Sequence, residues 1–297
     1  MKVWIDGSIV DGKDAKLSVT DHGFLYGDGI FEGMRAYSGR LFRLDDHMRR
    51  LQVSARAIAI EIPGGVRQAR DVVLETVAAT GSLDAYVRLL ITRGEGPLGV
   101  DPTTCAEPKM ICIVDTVELF PPARAALGVD LVTASLRRPS ADVLDPRVKS
   151  LNYLNNALCK GEAKRRGADD ALLLNQQGAV AEATSANVFA VCAGVVMTPP
   201  TTDGALDGIT RRTILELCEK LGIASKERTM GRIDFFAADE AFLSGSGARI
   251  VPIRSLDGQK IGDTVPGAVT QRLTDAFFEL ARSTGTPIPY PALRAAK

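Results

Sequence analysis

The stretch Asp145-Pro146-Arg147-Val148-Lys149-Ser150-Leu151-Asn152-Tyr153-Leu154-Asn155-Asn156 decides how the rest of the chain is read. Pro146 cannot continue a helix and biases the residue before it towards extended geometry, so Lys149 falls on a short irregular or extended segment. A helix follows: Leu154, Leu158 and Ala163 form an apolar stripe of helical period, with Lys160, Glu162, Lys164, Arg165 and Arg166 between and beyond them, and the pattern stops at Gly167. A lysine held there, with the Tyr153 phenol four residues on, is an amine nucleophile suited to forming a Schiff base with a carbonyl compound. Taken alone, such a lysine is more often simply solvated beside a helix start, so the decision rests on the residues elsewhere.

The 297 residues carry 36 Lys plus Arg against 36 Asp plus Glu. With no net field and no long charge run, nucleic acid and anionic membranes are disfavoured as partners. A hydrophobic content of 45% supports a sizeable core in one large domain or two ordinary ones. The opening Met1-Lys2-Val3-Trp4-Ile5-Asp6-Gly7 goes straight into strand-like alternation, and there is neither an apolar signal core nor a membrane-length span, which predicts a cytoplasmic protein. The five cysteines lack Cys-x-x-Cys spacing and the two histidines, His22 and His47, are not paired, so no disulfide framework, metal site or histidine triad is expected.

In chain order, strands are expected at 3–5 and 9–10 and an extended piece at 17–19. The glycine-dotted segment 23–37 reads either as a twisted hairpin packing Tyr26 and Phe31 inward or as a pocket wall. It is not a phosphate loop, because no helix starts after Gly29 and no Gly-Lys-Ser/Thr is present. Leu44-Asp45 opens a helix with an aspartate cap, and a second helix spans about 66–79. Strands at 86–93 and 110–114 flank an irregular stretch at 94–102. Pro121-Pro122 is the best boundary: it gives a small N-terminal domain over 1–115, a linker over 116–124 and a larger C-terminal domain over 125–297. The second part alternates strands at 129–136, 187–191, 195–197, 241–243 and 250–253 with a helix starting near Thr210 and a last helix at about 266–282. It also holds a strand pair about Asn175-Gln176-Gln177-Gly178, an Asp257-Gly258 hairpin and, after Gly285, a proline-rich tail expected to be loose.

Several motifs occur together and in order: Phe31-Glu32-Gly33-x-Arg35, His47-x-x-Arg50-Leu51, Tyr86-x-Arg88, Lys149-Ser-Leu-Asn-Tyr153, Glu182-x4-Asn187-x-Phe189, Gly208-Ile209-Thr210-Arg211 and Gly245-Ser246-Gly247-Ala248. From Trp4 to about Phe278 the chain thereby resembles the fold type IV pyridoxal phosphate enzymes and, within them, the branched-chain amino acid aminotransferases. The resemblance implies an α+β fold of two α/β domains with the cofactor site between them. It implies that Lys149 holds the cofactor covalently and then shuttles a proton at the substrate α-carbon. Glu182 would pair with the pyridine nitrogen and keep it protonated, making the ring an electron sink. Tyr153 would bond the ring oxygen. Arg50, the Ile209 N–H, Thr210 at a helix start and Ser246 would grip the phosphate, with Leu206 a further cofactor contact. Tyr26, Phe31, Tyr86 and Val100 would wall an apolar side-chain pocket, and Tyr86, Arg88 and the backbone at Ser246-Gly247 would steer the carboxylate, with Gly33 and Arg35 also among the substrate positions. Residues like Tyr26 and Val100 reach the site across a subunit interface in this family, which implies a homodimer or higher homo-oligomer.

Two departures stand out. The family usually has Glu-Gly where this chain has Glu182-Ala183, and Gly-Thr-Ala-Ala-Glu where it has Gly245-Ser246-Gly247-Ala248-Arg249. Ser246 keeps the hydroxyl; Gly247 loosens the turn and Arg249 reverses a charge. The expected activity is amino transfer between branched-chain L-amino acids and 2-oxoglutarate. The alternatives within the fold are a D-amino acid transaminase, an (R)-amine transaminase or aminodeoxychorismate lyase. A silent cofactor carrier is a further alternative, disfavoured because mere binding needs no Lys149 with Glu182.

Overall fold

The computed structural model describes residues 1–290. The described chain divides into two compact units, one made of Met1–Val117, Lys149–Asn152 and residues 281–290, the other of Glu118–Val148 and Tyr153–Leu280. The lysine segment thus clusters with the N-terminal unit although it lies beyond residue 117 in sequence.

The first unit contains β1 (Lys2–Ile5), β2 (Ser8–Asp11), α1 (His22–Tyr26), β3 (Gly29–Tyr37), β4 (Arg40–Leu41), α2 (Leu44–Ala57), α3 (Gly65–Ala78), β5 (Ala85–Thr92) and β6 (Lys109–Asp115). Its antiparallel sheet runs β4-β3-β5-β6-β1-β2, with the short strand Thr286–Pro287 added beside β4. Every residue of β3 is buried, so its charged Glu32 and Arg35 have to find partners. Alternation separates the two faces: Phe31, Gly33 and Arg35 point one way with Tyr86 and Arg88 of β5 in register, and Glu32 and Met34 point the other. The amphipathic α2 packs on β3 and buries Leu44, Met48 and Leu51, worth about 2 kcal/mol for each large apolar side chain.

The second unit contains α4 (Pro122–Leu127), β7 (Val129–Thr133), α5 (Ala141–Leu144), α6 (Leu154–Arg165), β8 (Asp170–Leu174), β9 (Val180–Ala183), β10 (Asn187–Cys192), β11 (Val195–Thr198), α7 (Ile209–Leu221), β12 (Ser225–Glu227), α8 (Arg232–Phe236), β13 (Glu240–Gly245), β14 (Arg249–Leu256), β15 (Gln259–Lys260) and α9 (Ala268–Ser283). Its sheet runs β12-β11-β10-β13-β14-β7-β8-β9, with β15 hairpinned onto β14. The pairs β11·β12, β14·β7 and β7·β8 are parallel and the rest antiparallel. Phe189 and Phe242, opposite one another on β10 and β13, stack with centroids 4.8 Å apart. The α+β architecture expected from the sequence is the one observed.

Several local expectations change. Arg43, not an aspartate, is the N-cap of α2, in the left-handed region at φ 52°, and no side chain caps the helix. Residues 17–19 form no strand, and the glycine-dotted segment opens with α1 rather than a hairpin, capped by Asp21 through the Gly23 N–H. Of the stripe read on α6, Leu154 and Leu158 are turned outward, 70% and 50% exposed, while Ala163 is buried as expected and shares the inward face with Asn156 and Cys159. The chain after Gly285 is tied down as far as it is described, by the Thr286–Pro287 strand and by the Tyr290 hydroxyl donating to the Ser82 carbonyl at 2.5 Å. The rest of the tail, from residue 291, lies outside the described residues. Among the described residues no helix is long and apolar enough to cross a membrane.

Candidate active site

In the first unit the lysine segment is held as an added edge of β3. Phe31 donates its N–H to the Lys149 carbonyl and Leu151 donates to the Gly29 carbonyl, both at 2.9 Å, and Ser150 bridges Ile30. The Lys149 N–H is bound in turn by the buried Ser54 hydroxyl of α2 at 3.1 Å. With the backbone fixed on both sides, the ammonium lies 4.4 Å from the centroid of the Phe31 ring. The Arg88 guanidinium sits 4.6 Å from the same ring. Gly33 leaves room here: a Cβ at that position would lie 2.4 Å from the Tyr86 hydroxyl, so the phenol crosses the strand over a glycine and would have to shift for any larger residue. Arg35 donates to the Val117 carbonyl at 2.9 Å, with its guanidinium 5.9 Å from the Tyr86 ring.

On the opposite face of β3 lies a buried polar trio. Arg50 donates from Nε to Glu32 Oε1 at 2.8 Å and from Nη2 to Oε2 at 2.7 Å, and His47 Nδ1 lies 2.7 Å from Oε2. Burial pushes the Glu32 pKa up, but the Arg50 charge and the hydrogen bonds from Arg50 and His47 outweigh it and hold the carboxyl at about 2. Burial pushes the His47 pKa down; Glu32 opposes this, and the nearby Arg50 and Lys149 charges add to it. His47 is therefore a neutral imidazole, and its contact to Glu32 is an Nδ1–H hydrogen bond rather than a second ion pair.

Tyr26 and Val100 occupy another part of this unit. The Tyr26 hydroxyl accepts the Gly99 N–H at 2.9 Å and the His22 ring bonds the Pro97 carbonyl at 3.0 Å, which pins the irregular 94–101 stretch onto α1. Tyr26 is 37% exposed and Val100 81% exposed.

In the second unit Glu182, on β9, is buried rather than a surface acid. Its Oε1 accepts from Arg138 Nη2 at 2.6 Å; its Oε2 accepts from the Leu206 N–H at 3.1 Å and from Asn187 Nδ2 at 3.3 Å. Asn187 also donates to the Leu206 carbonyl at 2.8 Å. Gly208 permits this arrangement, because a Cβ there would lie 2.0 Å from Asn187 Oδ1. Gly208 is also the N-cap of α7, where no side chain caps the helix, and the buried Thr210 stands in its first turn. An uncapped N-terminus of a long helix is a ready anion cradle. Tyr153 stands at the N-cap of α6. Ser246 and Gly247 lie in the turn closed by the Gly245–Arg249 pair of β13 and β14. Arg249 sits at φ 64°, with its guanidinium 5.9 Å from the Phe278 ring of α9 and its Nε buried without a hydrogen-bond partner among the described residues.

The sequence reading missed Arg138, Asn156 and Ser54 as parts of these groups. Ser54 is one polar position on the apolar face of α2, and Asn156 belongs to the decisive stretch, but Arg138 lies in a loop with no pattern to mark it. Glu32 stands in a motif that gave it no role.

A fixed lysine, a buried anchored carboxylate and an uncapped helix start belong to one kind of chemistry, and the chain belongs to the class IV aminotransferases, whose family model matches residues 29–256. Within that class it is similar to branched-chain enzymes. It is 43% identical to a putative branched-chain-amino-acid aminotransferase of Methanocaldococcus jannaschii, over 97% of this chain and 99% of that one. It matches the crystal structure of the Escherichia coli branched-chain amino acid aminotransferase with a TM-score of 0.91 at 31% identity, covering 99% and 97% of the two chains. It matches the branched-chain amino acid aminotransferase of Thermobaculum terrenum, crystallised in its PLP-bound holo form, with a TM-score of 0.86 at 32% identity, covering 95% and 94%.

Proposed function

We propose that this aminotransferase uses pyridoxal 5'-phosphate to move amino groups between the branched-chain L-amino acids leucine, isoleucine and valine and 2-oxoglutarate, as a cytoplasmic homodimer. The observation that carries the reading is the Glu182 carboxylate, buried and held by Arg138, Leu206 and Asn187. A buried anion anchored by three donors suits a permanent partner for a protonated ring nitrogen. The donor set fits the cofactor: an amine nucleophile at Lys149, an anion at Glu182, and phosphate donors at the uncapped α7 start with Thr210, joined by Arg50 and Ser246.

When bound, the cofactor supplies the carbonyl that exchanges amino groups and a ring that withdraws electrons from the substrate α-carbon. Lys149 supplies the amine that carries the α-proton, its backbone fixed by β3 and Ser54 while its long stem swings. Glu182 holds an acceptor at the ring nitrogen, with Leu206 steadying it, and Tyr153 donates to the ring oxygen. Ile209 and Thr210 offer N–H groups to the phosphate. Phe31, Tyr86, Tyr26 and Val100 give an apolar wall; Tyr86, Arg88 and the Ser246-Gly247 turn orient the carboxylate, with Gly33 and Arg35 among the substrate positions. One methylene in such a pocket discriminates by about 1–3 kcal/mol, so one wall serves all three amino acids. The exposure of Phe24, Leu98, Val100, Leu154 and Leu158 supports a second copy covering these side chains.

The visible spectrum of the holoenzyme tests this. With no keto acceptor present, L-leucine converts the cofactor to its amine form, whereas D-alanine and (R)-1-phenylethylamine leave it unchanged. Conversion by either of the latter alone overturns the substrate assignment. Lys149→Ala loses the covalently bound band while still binding free cofactor; an unchanged band removes Lys149 from its role.

A further inference from the structure

Arg138 lies outside every motif that carried the functional reading, yet its side chain is as buried as Glu182. Its guanidinium is used on all sides: Nη2 donates to Glu182 Oε1 at 2.6 Å, Nη1 to Asn156 Oδ1 at 2.9 Å and Nε to the Gly204 carbonyl at 3.3 Å. Asn156 is itself oriented by donating to the Thr184 carbonyl at 2.6 Å. The backbone is fixed as well, by the Arg138 N–H on the Leu174 carbonyl at 2.8 Å and by Gln176 on the Arg138 carbonyl at 3.2 Å. Such a fork holds one geometry, and a guanidinium is a permanent cation in proteins generally.

We infer that Arg138 is a positioning residue that keeps Glu182 ionised and so decides which partner holds the proton shared with the ring nitrogen of the cofactor; this rests on the cofactor reading given above. A carboxylate taken out of water gains proton affinity, because burial disfavours the charged form. The permanent cation on Oε1 opposes that gain, and the Leu206 and Asn187 donors on Oε2 act in the same direction. With Arg138 in place the proton stays on the ring nitrogen and Glu182 remains the anion facing it. Without that cation Glu182 takes the proton, the ring nitrogen is left neutral, and net charge at the pair is unchanged while the electron sink is lost. A merely structural arginine would affect how well the loop and the cofactor are held, and not where this proton sits.

Holoenzyme loaded with pyridoxal phosphate carrying 15N in the ring separates the two, because the ring 15N shift reports protonation of that nitrogen directly. In the wild type the resonance lies at the protonated position across the alkaline range. Arg138→Met moves it to the unprotonated position with cofactor still bound. Arg138→Lys keeps it protonated at neutral pH and shows a deprotonation step as the lysine discharges towards its ordinary pKa of about 10.4. A protonated resonance in Arg138→Met with bound cofactor overturns the inference. If Arg138→Met does not fold or load, the lysine variant decides: an alkaline step absent from the wild type upholds the inference, and a profile superposing on the wild type sinks it. A wild-type chain that gives no bound-cofactor resonance refutes the proposed function itself, a result distinct from either.

Discussion

Arg50 presents the Nε and Nη2 edge of its guanidinium to Glu32, engaging both carboxylate oxygens at 2.8 and 2.7 Å in a setting where Glu32 is fully buried. The pair ties α2 to the face of β3 it packs on, and it sets the consequence of breaking the contact. Glu32→Gln leaves a buried guanidinium without its counter-charge, which costs about 3–5 kcal/mol. Urea unfolding of the variant is expected to show that loss; a change below about 1 kcal/mol would mean that the pair is replaceable.

The same trio gives the stability a pH dependence whose sign is fixed. The Glu32 pKa is held at about 2 against an ordinary 4.5, so the contribution of the ionised form is fully present above about 4.5 and is lost as pH falls through about 2. The His47 pKa is held below its ordinary 6.5, so the unfolded chain takes up a proton below 6.5 that the folded one refuses, and stability begins to fall there. Urea midpoints measured against pH should therefore decline in two stages on the acid side. His47→Gln removes the upper stage, and Glu32→Gln diminishes the lower, which Glu32 shares with Asp130, where burial raises the pKa but Arg254, Ser255 and Arg124 hold it at about 2; a single stage near 4 in the wild type contradicts both assignments.

Gly33 and Tyr86 give a prediction on specificity. A methyl group at Gly33 would lie 2.4 Å from the Tyr86 hydroxyl, so the phenol has to leave its place over β3. Overpacking of this kind costs about 1–3 kcal/mol. Gly33→Ala should raise KM for leucine by about tenfold, equivalent to about 1.4 kcal/mol, while the cofactor's visible band is unchanged. An unaltered KM would remove Tyr86 from the substrate wall.

The sequence made the fold legible through periodicity and turns: the Asp257-Gly258 hairpin and the buried strands lie where alternation put them. It failed where tertiary packing overrode local pattern. Leu154 and Leu158 have helical spacing but face outward, because the inward face of α6 carries Asn156, which Arg138 needs as an acceptor. Arg43 starts α2 in a left-handed conformation that no propensity favours for arginine. The candidate site was read from several motifs standing together and in order, since Lys149 with Tyr153 four residues on is by itself no more than a solvated lysine beside a helix start. The supporting residues were not, because Ser54, Asn156 and Arg138 act through contacts at separations of 95, 28 and 44 residues.

The outward leucines of α6 carry the last prediction. Leu154 and Leu158 are four residues apart, hence on one helix face, and are 70% and 50% exposed. Fully burying a leucine is worth about 1.5–3 kcal/mol, so a helix that spends two of them on one outward face gains if a second copy covers them. Leu158→Glu places a charge at the centre of such a contact, where an unpaired buried carboxylate is strongly unfavourable. The substitution touches no core position within its own unit, so the fold of the subunit is expected to stand, with far-ultraviolet circular dichroism unchanged. Sedimentation velocity should then show the wild type as a dimer or larger and the variant displaced towards the monomer at micromolar concentration. A variant that sediments as the wild type does would mean that α6 faces solvent in the assembly and that the copies meet elsewhere.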